Sequence, residues 1–184
     1  MKVFLLALTL ISIGTPAHAR LGETREQAEA RYGLPKSEKT ARFQTPLIEG
    51  AREITFLYQG FRIRCALLPA TDGREYIVRE EYLRKDGSPV IKDFERDAIL
   101  AGEGNGMEWS DEKMGPLSLD PVKTLQNQFA HALMGQNWRR TDGALAIHGI
   151  GGFPVRLELP QAANWEAQIK AAKDQAARAN VPKF

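Results

Sequence analysis

Apolar residues take every second position from Phe61 through Ile63 and Cys65 to Leu67, with Arg62 and Arg64 between them. A period of two predicts a half-buried strand, with the apolar set inward and both arginines in water. Before it, Glu53 to Tyr58 is rich in β-branched and aromatic residues, and Gln59-Gly60 supplies a turn. After Asp72-Gly73, residues Tyr76 to Leu83 alternate less cleanly, with Tyr76, Val78 and Tyr82 as the inward candidates. Asp86-Gly87 closes that strand, so three consecutive strands form an antiparallel meander. A second set follows downstream. Gln136 to Thr141 and Ala144 to His148 flank Asp142-Gly143, a hairpin signal, and Val155, Leu157 and Leu159 alternate until Pro160.

Helical periods separate these runs. Thr24 with Gln27 makes a capping box, Ala28 and Tyr32 lie one turn apart, and Gly33 and Pro35 end the helix. Residues 36 to 52 read as a loop. Asp93 is placed to cap a second short helix containing Phe94, Asp97, Ala98 and Ile99, with Gly102 ending it. Gly102 to Gly106 reads as a mobile connector leading to Trp109. Asp120-Pro121 opens a third helix whose stripe is Val122, Leu125, Phe129, Ala132 and Leu133. The alanine-rich stretch from Gln161 to Ala179 predicts a last helix, with Trp165, Ile169 and Ala172 on one side. The fold class is therefore α+β: an antiparallel sheet or sheets with short helices packed on one face. One domain spans 20–160, and its repeated helix-plus-meander pattern allows two halves, 20–90 and 91–160. Sequential strands favour a single sheet. Residues 161–184 form the C-terminal helix and tail.

The start of the chain has a different character. Lys2 precedes an apolar run from Val3 to Ile13, which Gly14, Thr15 and Pro16 break. Ala17-His18-Ala19 then fits a signal-peptidase site. The run is about eleven residues, short of the roughly 20 that cross a bilayer. Residues 1–19 thus read as a cleaved signal peptide, with the mature protein starting near Arg20 in the periplasm or outside the cell. No later stretch is long enough to span, so no direct membrane span is expected.

Composition narrows the partners. The 184 residues carry 25 basic and 23 acidic side chains, a net charge of +2. Removing residues 1–19 takes away only Lys2, leaving an interspersed, near-neutral balance without a footprint for nucleic acid. Cys65 is the only cysteine, so no internal disulfide exists. Its place in the alternating run makes it a buried thiol. The competing reading pairs it, as a nucleophile, with His131 or His148.

Other chemistry is sparse. Neither His131 nor His148 has a second histidine three or four residues away or a neighbouring cysteine, so no metal site is expected. Asp142 reads as a hairpin residue. Glu80-Glu81, and Glu95 with Asp97, read as solvated surface pairs. The glycine run lacks the Lys-Ser/Thr of a phosphate loop, and no cofactor motif or serine elbow is present. No catalytic, cofactor-binding or metal residue is assigned.

The opening Leu21-Gly22-Glu23-Thr24 with the stop Gly33-Leu34-Pro35 resembles the start of the SmpA/OmlA (BamE-like) envelope proteins. It is more similar still to uncharacterised small exported bacterial proteins. Gly60-Phe61-Arg62-Ile63, Ile99-Leu100 and Trp109 extend that likeness over residues 21 to 110. The resemblance implies an early helix followed by strands and an envelope setting. The chain departs from the lipoproteins in having no lipidated cysteine and about 70 further residues, and no functional residue carries over.

Three function classes follow. Favoured is an exported non-catalytic binding or envelope-interaction module whose partner is an envelope or secreted protein, with the Arg62 and Arg64 face or a sheet edge as its surface. The alternatives are a small secreted hydrolase-like enzyme using Cys65 or His131 with His148, and a small-ligand-binding protein with Trp109, Trp138 and Trp165 lining a pocket.

Overall fold

In the computed structural model, which describes residues 20–38, 46–104, 106–111, 135–149 and 154–179, Thr24 sets the first element. Its hydroxyl accepts the Gln27 N–H while the Gln27 side chain accepts the Thr24 N–H, so the expected capping box starts α1 (Arg25–Tyr32). Gly33 ends α1 at φ 82°, a backbone angle that side chains resist. Ala28 and Tyr32 form its buried face.

Among the described residues, seven strands make one antiparallel sheet: β1 (Arg52–Tyr58), β2 (Phe61–Pro69), β3 (Glu75–Arg84), β4 (Trp109–Asp111), β5 (Gln136–Arg140), β6 (Leu145–His148) and β7 (Val155–Glu158). Their order is β1-β2-β3-β7-β6-β5-β4. The first meander runs to the middle of the sheet. The chain then leaves through α2 (Asp93–Glu103), enters at the far edge, and a second meander returns to lay β7 against β3. The three expected tight turns between consecutive strands form, and Gln59 and Gly60 both adopt positive φ in the first. The α+β class read from the chain is the class observed. Residues 1–19, the expected helix from 121 with its stripe, and His131 lie outside the described residues.

The two short helices share one sheet face. Ala28 and Tyr32 of α1, and Ile99 and Leu100 of α2, pack there with Phe56, Ile63, Cys65, Ile77, Tyr82, Trp138 and Leu157. The long helix α3 (Pro160–Ala179) lies on the other face, where Ala162 and Trp165 meet Ala66, Leu68 and Val78. Pro160 therefore both stops β7 and opens α3, at a helix position where its missing N–H is not needed. No described helix is long and apolar enough to cross a membrane.

Three local expectations are corrected. On β3, Ile77 and Tyr82 face the helices, whereas Val78 packs on the α3 side and Tyr76 is only partly covered. The cause is a bulge: Ala66 pairs with Arg79 and Leu67 with Ile77, leaving Val78 as an extra residue. Arg64 is 7% exposed, not solvated; it bonds Glu81 at 2.7 Å and Glu53 at 3.1 Å. Arg79 sits beside them, bonded to Glu158, Glu166 and the Leu47 carbonyl. The polar residues of this face thus pair with one another beneath α3 and the 46–51 segment. Finally, Lys92 rather than Asp93 precedes α2, and the helix runs past Gly102 to Glu103.

Candidate functional site

The one-residue extension of α2 decides what lies beneath it. Glu103 becomes the last residue of the helix and is 2% exposed. Two side chains anchor that helix end from the sheet. Arg140 donates to the Glu103 carbonyl, and Trp109 Nε1 donates to the Leu100 carbonyl at 2.9 Å. Both satisfy carbonyls that a helix C-terminus leaves open, and the Arg140 charge suits the negative end of the helix. Arg140 is itself fixed by Asp142, at 2.9 and 2.7 Å, so Asp142 is the hairpin residue expected of it.

The Glu103 carboxylate points into a group of buried hydroxyls and acids. Tyr82 Oη donates to Glu103 Oε1 at 2.8 Å and lies 3.4 Å from Glu80 Oε2. Tyr32 Oη lies 3.2 Å from Tyr82 Oη, and Cys65 Sγ donates to Glu80 Oε1 at 3.8 Å. Tyr82 has one proton to give, and Glu103 takes it at the shorter distance. The contact with Glu80 is then satisfied by a proton on Glu80. Burial, with the charge of Glu23 second, pushes the Glu80 carboxyl up to about 7. Burial, then the charge of Glu80, raises Glu103 well above the carboxylate range. Arg31 favours both ionised forms but is held by both oxygens of Glu23. Among the described residues neither Glu80 nor Glu103 has a cation in salt-bridge contact; the Leu21 N–H also favours the ionised Glu103, while Oε2 itself has no hydrogen-bond partner.

Above this group opens a cleft of about 190 Å³ between α1, α2 and the β1–β2 hairpin. Tyr32, Tyr58, Phe61, Tyr82 and Phe94 supply rings, Ile63 and Ile99 supply aliphatic wall, and two carboxylates line it, Glu103 and, neutralised by Arg84, Glu95. Tyr32 and Tyr58 meet edge to face at 5.1 Å, and Phe61 and Tyr82 at 6.3 Å, so the rings brace one another. Phe94 stands at the rim, 67% exposed. A cavity of about 400 Å³ on the α3 face, beside Trp165, is lined by apolar, aromatic and amide side chains, Tyr76 among them, without a carboxylate or histidine.

The described residues singled out for chemistry are not brought together. Cys65 is buried as expected, and burial pushes its thiol up, the reverse of what activates a nucleophile. His148 lies on β6, with β3 and β7 standing between it and Cys65 on β2. Three strand spacings amount to about 14 Å. His148 donates to the Ile91 carbonyl, and burial, then Arg96, lowers its pKa. Trp109 and Trp138 pack with the helix-side core, while Trp165 is on the opposite face bonded to the Glu49 carbonyl at 3.0 Å, so the three do not line one pocket. Glu80 and Glu81 are 0% and 6% exposed, correcting the solvated-pair expectation; Asp97 is exposed, and Glu95 is half-buried against Arg84. One signal could have exposed the error: adjacent strand residues point to opposite faces, so one of Glu80 and Glu81 had to face the helices.

No family model, curated protein or solved structure matches the chain.

Cys65 gives a direct check on this core. In native buffer a thiol reagent is expected to modify it no faster than the protein unfolds, and immediately in denaturant. Fast labelling of the folded protein would contradict the packing described.

Proposed function

We propose that the protein is an exported, non-catalytic binding protein, and that its ligand site is the aromatic cleft between α1, α2 and the β1–β2 hairpin. The observation that carries the reading is the cleft itself: a concave, ring-lined space ending at a buried carboxylate. Apolar walls with a few fixed polar groups are the usual make-up of a small-molecule site. The buried thiol and the distance between Cys65 and His148 weigh against the hydrolase-like alternative. The signal-like residues 1–19 and the envelope-type opening of α1 support the exported setting, and N-terminal sequencing of protein recovered from the periplasm tests it by the start at Arg20.

Binding is tested by filling the cleft. Ala98 is an exposed α2 residue on its lining. The fluorescent probe N-phenylnaphthylamine is expected to brighten and saturate with the wild type. Ala98→Trp should abolish that response while leaving the melting temperature nearly unchanged. Equal probe binding by the variant would remove the cleft from consideration.

A further inference from the structure

The cleft joins two features that rarely meet without purpose. One is a set of ring faces and edges from Tyr32, Tyr58, Phe61, Tyr82 and Phe94. The other is a pair of buried carboxylates, Glu80 and Glu103, linked through one hydroxyl and having no described cation in contact. Glu103 lines the cleft, is 2% exposed, and keeps Oε2 unpartnered. Buried acids of this kind are normally paired with a cation or a metal. Ring faces attract organic cations, and the attraction strengthens where water is excluded. An alcohol or amide would offer Glu103 a hydrogen bond but no counter-charge.

We infer that the cleft binds a compact organic ammonium ion, its apolar substituents against the rings and its N–H groups toward Glu103. This rests on the cleft being a ligand site. In the empty protein the acid pair holds a proton in place of the cation. When the ammonium enters, that proton leaves to solvent, so binding and proton release go together. The groups facing the pair are Tyr32, Glu23 and Arg31 from α1 and its approach, Cys65 from β2, and Tyr82 from β3. The three –OH and –SH groups are raised and stay protonated, and Arg31 is occupied by Glu23, leaving the acids as the groups that release the proton.

The test is calorimetric titration of the full chain with isopentylamine and with its neutral isostere, isopentyl alcohol. The amine is expected to bind at least about tenfold more tightly, and more tightly at about pH 8 than at about pH 6, with a heat that varies with the buffer because a proton is released. Glu103→Gln should lower amine affinity about tenfold or more while leaving the alcohol unaffected. Phe94→Ala, at an exposed rim position that does not threaten folding, should weaken the amine about two- to fivefold. Equal binding of amine and alcohol would overturn the ammonium assignment and keep the cleft as a site. Unchanged amine affinity in both folded variants would also overturn it. Binding of neither compound, with no response to the cleft probe, would remove the site altogether.

Discussion

Glu80→Gln is expected to make the protein more stable than the wild type above about pH 7 and to flatten its dependence on pH. Glu80 is fully buried, and desolvation is the first cause that lifts its carboxyl from 4.5 to about 7. The native state therefore holds a proton between these values where the unfolded chain has released it. Stability from this group is fully present below about pH 4.5, falls as pH rises through the window, and is gone above about pH 7. The difference amounts to roughly 3 kcal/mol, at about 1.4 kcal/mol per pH unit. Glutamine has the same length and carries permanent N–H donors where the acid needs a proton to satisfy Tyr82. Urea midpoints at about pH 5 and about pH 8 read the effect: both proteins fall, the variant less steeply, because Glu103 still titrates from a raised value. Parallel slopes for the two proteins would refute a protonated Glu80.

Removing Arg64 is expected to have an effect at least as large, in the destabilising direction. Arg64 lies between Glu53 and Glu81, which are buried beside it. Arg64→Met keeps much of the side-chain length but leaves two carboxylates with reduced compensation. Breaking one side of a buried pair costs about 3–5 kcal/mol. Arg156 on Glu81 and the Leu47 N–H on Glu53 soften the loss, so the lower end is expected. Adding Glu81→Gln to Arg64→Met should recover part of it, since fewer unpaired charges remain. Chemical denaturation of the three variants measures both numbers. A loss within about 0.5 kcal/mol, the range of an ordinary surface change, would mean the network is effectively solvated.

Local chemistry made much of the fold legible. The capping box at Thr24, the Gln59-Gly60 and Asp142-Gly143 turns, and the alternation from Phe61 to Leu67 are short-range signals, and the corresponding elements form. Which face of the sheet receives a charge was less legible. Arg64 and Glu81 sit at positions that alternate outward, but outward is covered by α3 and the 46–51 segment, tens of residues away in sequence. The candidate site was harder to see. Glu103 stands in a glycine-rich run that suggests a connector, and Arg140 and Trp109, contributed by β5 and β4, bond carbonyls of the last turn that includes it. Tyr32 and Tyr82, 50 positions apart, look like ordinary core rings until their hydroxyls are found together.

The extra residue at Val78 divides β3 into two reading frames. Upstream, odd-numbered positions such as Ile77 face the helices; downstream, even-numbered ones such as Glu80 and Tyr82 do. A deletion of Val78 itself would restore unbroken alternation and leave Arg79 and Glu80 on their present faces, whereas a deletion of Glu81, with the pairing held on either side, would absorb the bulge and exchange their neighbourhoods. The arginine would then enter the space above the acid pair, and Glu80 would join the carboxylates under α3. Loss of the codon for Val78 thus spares both faces of the sheet, whereas loss of one for a paired neighbour exchanges them, although each removes a single residue.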